Sequence, residues 1–201
     1  MPLLTQEKTA EKWFRSDIDF DQLYPLQIQA LASRHWTPLG VARKAASFLA
    51  VDRDARILDI GSGAGKFCLA AAHFRPQAHY FGVEQRKNLL GHANEAKSVL
   101  SLENVHFLHG NFTQLNFRNF DHFYFFNAFY ENLSGTDKID HCIDYSAELF
   151  YYYNRYLYKE LALKPAGTRV ATFHSLEDEI PPDFLLAGTD LDNLLKFWIK
   201  A

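Results

Sequence analysis

Residues 57–66 read Ile-Leu-Asp-Ile-Gly-Ser-Gly-Ala-Gly-Lys, a pattern whose residue types can hold a charged small molecule. Residues 57–60 form a short apolar run, as a buried parallel strand does. Asp59 puts a carboxylate near the end of that strand. Gly61, Gly63 and Gly65, with Ser62 between the first two, let the backbone turn tightly and lie against a bound molecule. An Ala-rich helix follows over residues 67–74. Strand, glycine loop and helix N-terminus together make a nucleotide-type pocket at the carboxyl edge of a sheet.

The spacing decides which nucleotide. A phosphate-cradling P-loop needs a glycine five residues before its Gly-Lys pair and Ser or Thr after it. Ile60 and Phe67 stand there instead. A dinucleotide fingerprint needs Gly-x-Gly-x-x-Gly, whereas this loop is Gly-x-Gly-x-Gly followed by Lys66. A carboxylate at Asp59 would also repel a pyrophosphate. A phosphate-free, positively charged cofactor suits both features, and S-adenosylmethionine is one. Glu84 ends a second predicted strand, residues 78–83, and lies 19 residues after Gly65. An acid at about that distance, ~20 residues, accepts hydrogen bonds from ribose hydroxyls. A third strand at 105–108 runs into Asn111, placed to bond an adenine edge, and Phe112, placed to pack on the ring.

These motifs resemble the class I S-adenosylmethionine-dependent methyltransferases, from about residue 37 to the C-terminus. The likeness includes the turn Leu163-Lys164-Pro165-Ala166-Gly167 before a fifth strand. It implies a three-layer Rossmann-like α/β fold. The sheet would be seven-stranded and mostly parallel, with an antiparallel last strand. The pattern gives the remaining strands at 123–126, 168–173, 184–187 and 194–199, the last two around Gly188-Thr189-Asp190. Helices are expected over 21–33, from Pro38 to about 50 with Thr37 as N-cap, and over 67–74, 87–100 and 137–163, the last capped by Thr136. Cys142 falls in that long helix. A charged, helical stretch is expected within 1–16. Pro181-Pro182 forbids a helix between the fifth and sixth strands. Residues 1–36 form an N-terminal helical extension or lid, and 37–201 the methyltransferase domain. Trp36 and Thr37, behind His35, lie over the cofactor in this reading, or Trp36 staples its helix.

The acceptor side begins at Asn127, where the fourth strand ends. The run Asn127-Ala128-Phe129-Tyr130 matches in register the Asn-Pro-Pro-Tyr motif of amino-methylating enzymes, with Ala128 and Phe129 in place of the prolines. It is also similar to the aromatic loop of non-SET histone-lysine methyltransferases. By that resemblance Asn127 and Tyr130 orient an acceptor amine, and Tyr130 or Glu131 helps remove its proton. The expected acceptor is protein lysine or a small-molecule amine. A net charge of −3 argues against a nucleic-acid partner. The alternative is a catalytically silent, cofactor-binding module that supports a protein partner, and a dehydrogenase stands third. Seven aromatic residues between Tyr145 and Tyr158 must cover the N-terminal helices, form an interface or be exposed. Base stacking is disfavoured, since only Arg155 and Lys159 accompany them. The two cysteines have no metal-ligand spacing, so no metal is expected. Residues 1–20 are rich in charge and no apolar run approaches a membrane span, so a cytoplasmic protein is expected.

Overall fold

Apolar runs in β-branched and aromatic residues pair through their backbones, and crossovers through helices make the pairing parallel. The computed structural model describes residues 11–175 and 179–201. Its strands are β1 (Arg56–Ile60), β2 (His79–Glu84), β3 (Val105–His109), β4 (His122–Phe126), β5 (Arg169–Phe173), β6 (Phe184–Asp190) and β7 (Leu195–Lys200). They form one sheet in the order β3-β2-β1-β4-β5-β7-β6. Only β7 is antiparallel to its neighbours, as expected for the last strand. Chain order reverses direction between β1 and β4, so the crevice at their carboxyl ends is the switch point.

The side-chain alternation of the strands builds two cores. Ile57 and Tyr124 face one side, with α4 (Leu39–Leu49), α5 (Lys66–Phe74) and α6 (Lys87–Leu100). Leu58, Ile60, Phe123 and Phe125 face the other, under Leu157 and Leu161 of α7 (Ala147–Ala162). The aromatic strand β4 is thus buried on both faces. Phe67 of α5 stacks on Tyr124, ring centroids 3.7 Å apart.

Four expectations are corrected. The helix expected over 21–33 is three short ones, α1 (Asp17–Asp21), α2 (Leu26–Gln29) and α3 (Ala32–His35). Pro25 lacks the N–H that a continuous helix would use, and Leu26 is exposed. Thr37 does not cap α4. Its hydroxyl pairs with the Tyr124 hydroxyl at 2.9 Å, and the Leu39 N–H donates instead to Asp17 Oδ1 at 2.9 Å. The long helix begins at Ala147, capped by Ser146, which accepts from the Leu149 N–H. Thr136 bonds the carbonyls of Tyr130 and Leu133 instead, and Cys142 is exposed outside the helix. Finally, Gly188, Thr189 and Asp190 belong to β6, and the chain reverses at Leu191, Asp192 and Asn193, all at positive φ. Of the helical stretch expected in 1–16, residues 1–10 lie outside the described residues, and Lys12–Phe14 is a single 3-10 turn. Between β5 and β6, residues 176–178 lie outside the described residues, and Ile180 packs into the core under α7.

Gly65 shows how tightly the loop is seated. Its φ is +84°, and a Cβ there would meet the Phe107 ring at 2.4 Å. Gly91, inside α6, has open space around it. Gly65→Ala should lower stability by about 1–3 kcal/mol, whereas Gly91→Ala should raise it by about 0.5–1 kcal/mol. Chemical denaturation of both variants checks this; an unchanged midpoint for Gly65→Ala would refute the close packing.

Candidate active site

The carboxyl ends of β1, β2 and β4 each deliver one polar residue to the switch-point crevice: Asp59, Glu84 and Asn127. Three adjoining cavities open there, and Gly61 borders all of them. The largest, about 410 Å³, is lined by His35, Gly63, Glu84, Asn127, Tyr130 and Glu131. A slot of about 50 Å³ lies between Val83, Gly110, Phe112 and Tyr153. A third, about 30 Å³, lies among Trp36, Thr37, Asp59, Ser62 and Lys66.

Glu84 is buried yet well supplied with donors. Its Oε2 accepts the Gly63 N–H at 3.0 Å, and its Oε1 accepts the Arg86 N–H at 2.9 Å and the guanidinium at 3.3 Å. Asp59 is as deeply buried, but among the described residues its side-chain hydrogen-bond partner is only the Cys68 thiol, Sγ to Oδ2 3.6 Å. Burial pushes its carboxyl up to about 8; the thiol's hydrogen bond opposes the rise and the charge of Glu84 adds to it. Ser62 Oγ is buried with no hydrogen-bond partner among the described residues. An orphaned hydroxyl of this kind marks a group that a ligand can satisfy.

Two cations near the site escaped the sequence reading. Lys66 is only 4% exposed, with Nζ 2.7 Å from both Asp17 and Asp21. The spacing of those two acids, one helical turn apart on α1, was the available signal. The Tyr24 hydroxyl adds a bond to the Ala64 carbonyl at 2.9 Å, so the N-terminal segment grips the glycine loop. Arg86 binds Glu84, Glu131, Asp140 at 3.2 Å and the Tyr145 hydroxyl at 2.7 Å. Coulomb attraction to Glu131 and Glu84 outweighs burial and raises its already high pKa. An arginine after a strand reads as a surface residue, so nothing local announced this network.

The expected site residues divide. Asp59, Gly61, Ser62, Gly63, Glu84, Trp36 and Thr37 border the cavities, as do Asn127, Tyr130 and Glu131. Gly65 lies behind the loop, against Phe107. Phe112 lines the slot and stacks with Phe129 at 5.0 Å. The Asn111 amide is committed elsewhere. It accepts from the Thr113 N–H and hydroxyl, and it donates to Gln85 Oε1 and the Tyr153 hydroxyl. The Glu131 carboxylate is bound into the Arg86 network and also accepts from the Tyr145 hydroxyl at 3.0 Å. Asn127 has φ +45°, a left-handed turn that asparagine tolerates. Among the described residues, no group of three or more His, Cys, Asp or Glu is placed to hold a metal ion, and no helix is long and apolar enough to cross a membrane.

This donor set suits a cationic adenosyl cofactor. Asp59 could answer its charge, the Glu84 carboxylate its ribose hydroxyls, and the apolar slot its base, while Ser62 offers a free hydroxyl. Gly63 has open space where a Cβ would stand, at φ +54°, so a side chain there would intrude on a ligand rather than on protein.

Comparison with known proteins agrees. A family model described as a methyltransferase domain matches residues 51–183, about two thirds of the chain. A tRNA (guanine-N(7)-)-methyltransferase of Synechococcus sp. (strain JA-3-3Ab) is 48% identical over 54 residues. That match covers 27% of this chain and 23% of the relative, so the chain spans about a quarter of the length of the curated relative. Among solved structures, TrmN from Thermus thermophilus superposes with a TM-score of 0.57 at 20% identity, covering 86% of this chain and 51% of that one. An RNA methyltransferase from Salinibacter ruber, in complex with S-adenosyl-L-homocysteine, gives a TM-score of 0.55 at 18% identity, covering 82% and 93%.

The Asp59 shift generates a test. Near pH 7 the buried carboxyl keeps its proton, and a cationic ligand beside it favours the ionised form. Affinity for S-adenosylmethionine should therefore rise as pH climbs from 6 to 9, with a proton released on binding. The same shift acts on stability with the opposite sense: Asp59's contribution is present below pH 3.8 and is lost as pH rises to about 8. Calorimetry in buffers of different ionisation enthalpy measures the proton. Asp59→Asn should abolish the pH dependence; an affinity flat with pH in the parent protein would overturn the assignment.

Proposed function

The chain belongs to the S-adenosylmethionine-dependent methyltransferase family, and from that premise we propose that it methylates a ring nitrogen of RNA, guanine N7 first among them. The observation that carries this reading is the 48% identity to a tRNA (guanine-N(7)-)-methyltransferase. It replaces the expectation of a protein-lysine or small-molecule amine acceptor. It also runs against the expectation, from net charge, that nucleic acid is not a partner.

The chemistry of the pocket supports the same choice. An amine acceptor carries a proton that must leave, and Glu131 is the carboxylate in the loop that follows β4. That carboxylate is engaged by Arg86 and Tyr145. Guanine N7 has an in-plane lone pair and no hydrogen, so its methylation needs no base. The methylated ring becomes positively charged, and the large cavity presents Glu131 and Asp137, each already paired with an arginine of the same lining, Arg86 and Arg34.

When bound, S-adenosylmethionine supplies an electrophilic methyl group on a sulfonium. In this proposal Asp59, Ser62, Glu84 and the glycine loop hold it, and Trp36 and Thr37 close over that end and exclude water. Phe112 packs on the base, while Asn111 acts only by fixing the turn that carries Phe112. Asn127 and Tyr130 orient the acceptor in line, at about 3–3.5 Å for a reactive geometry. Residues 1–36 act as the extension that steadies the loop through Tyr24, Asp17 and Asp21, and the working place of the enzyme is the cytoplasm.

The test is direct. Labelled S-adenosylmethionine is incubated with the protein and unmodified tRNA transcripts, and digested RNA is analysed by mass spectrometry. Label should appear as 7-methylguanosine. Label in protein or small molecules, with none in RNA, would sink the proposal. Asn127→Ala should slow transfer by about 10²-fold while S-adenosylhomocysteine affinity stays within twofold. Tyr130→Phe should be milder than Tyr130→Ala. A folded Asn127→Ala protein with parental turnover would leave that loop a structural turn.

A further inference from the structure

We propose that the exposed face of α7 is a stacking surface for unpaired nucleotides of the RNA substrate, an inference that rests on the RNA reading above. At 3.6 residues per turn, Tyr151, Tyr152, Arg155, Tyr158 and Lys159 fall within an arc of roughly 120°. The opposite side of the helix, Tyr153, Leu157 and Leu161, is buried in the core. Tyr151, Tyr152 and Tyr158 are 63%, 51% and 38% exposed. Arg155 and Lys159 are exposed too, and among the described residues neither forms a hydrogen bond or an ion pair. The same holds for the three tyrosine hydroxyls. Glu148 is the one acid on this arc.

Large rings do not stand in water without cost, and three on one helical face form a patch that asks for a partner. Rings interleaved with unpaired cations match single-stranded nucleic acid in particular. Bases stack on the rings and phosphates meet the cations. The face spans about 10 Å from Tyr151 to Tyr158, a reach suited to two or three stacked bases.

The patch is continuous with the acceptor pocket. Tyr130 lines the large cavity and meets Phe150 edge-on, centroids 5.9 Å apart. Phe150 in turn meets Tyr151 at 5.5 Å. A row of rings thus leads from the place of methyl transfer to the surface. A target base turned into the cavity leaves its neighbours unstacked, and this row offers those neighbours replacement partners.

The experiment uses the full chain carrying Tyr151→Ser and Tyr152→Ser together, and separately Arg155→Ala. All three positions are exposed, so the melting temperature should hold, as should S-adenosylhomocysteine affinity. Anisotropy of a fluorescein-labelled, unmodified tRNA transcript reads binding. The double variant should bind at least about tenfold more weakly. Arg155→Ala should reduce the slope of log K against log salt by about 0.7. In turnover the KM for tRNA should rise while kcat at saturating RNA holds. If the parental protein methylates tRNA and the double variant matches its Kd and KM, the surface is refuted and the RNA reading stands. If the parental protein neither binds nor methylates tRNA, both fall. Sedimentation that shows a parental dimer and a monomeric double variant, with tRNA affinity unchanged, would make the face a contact between copies and overturn the proposal.

Discussion

Two carboxylates, Asp59 and Glu84, end neighbouring strands in a place where water is scarce, and the surrounding structure is organised by how each is accommodated. A buried charge must find partners or give up its charge. Glu84 finds them in two backbone N–H groups and a guanidinium. Asp59 finds a thiol and keeps its proton to about pH 8. The crevice is thereby complete at the second acid and incomplete at the first. A ligand that carries its own positive charge completes it. The glycine loop follows from the same constraint. Its backbone must pass close enough for Gly63 to reach Glu84, and Gly65 fits against Phe107 only because it lacks a Cβ.

The two buried cations tie distant segments to this crevice. Lys66 draws in α1 through Asp17 and Asp21, and Asp17 also takes the first N–H of α4. Arg86 draws in residues 131–145 through Glu131, Asp140 and Tyr145. Each cation would be costly to leave alone in its surroundings, because removing one partner of a buried pair strands the other. That explains why residues 137–146 forgo the helix their neighbourhood suggests. Extending α7 backwards would pull Asp140 and Tyr145 away from Arg86. Local propensity is worth tenths of a kcal/mol per residue, too little to offset such a loss.

This contrast also marks what the sequence made legible. The strands β1 to β5, the glycine loop and α6 were readable because each is announced by its own residues: apolar runs, glycines and 3.6-residue periodicity. The acids at the strand ends were readable by spacing along the chain. What could not be read depends on residues far apart in sequence. Thr37 looked like a cap, but its hydroxyl found Tyr124, and the Leu39 N–H found Asp17, 22 residues before it. Asn111 looked free to meet a base, but Gln85 and Tyr153 hold its amide. Glu131 looked like a base until Arg86 was seen against it. In each case the local residue type was read correctly and the partner was not visible.

On the proposed RNA reading, net charge is a poor guide for a related reason. A value of −3 sums over the whole surface, whereas recognition responds to where the charges lie. The acids Glu84, Glu131 and Asp137 border the large cavity. Arg34 and Arg86 border it too and pair with these acids, so charge is largely balanced within the cavity. Arg155 and Lys159 lie outside, on α7, among exposed rings. A strand of RNA presents phosphates outward and bases that can be turned inward, so it asks for cations at the surface and tolerates acids within. On the proposed RNA reading a balanced or slightly acidic total is compatible with such a partner, because Arg155 and Lys159 stand exposed on the surface and unpaired among the described residues.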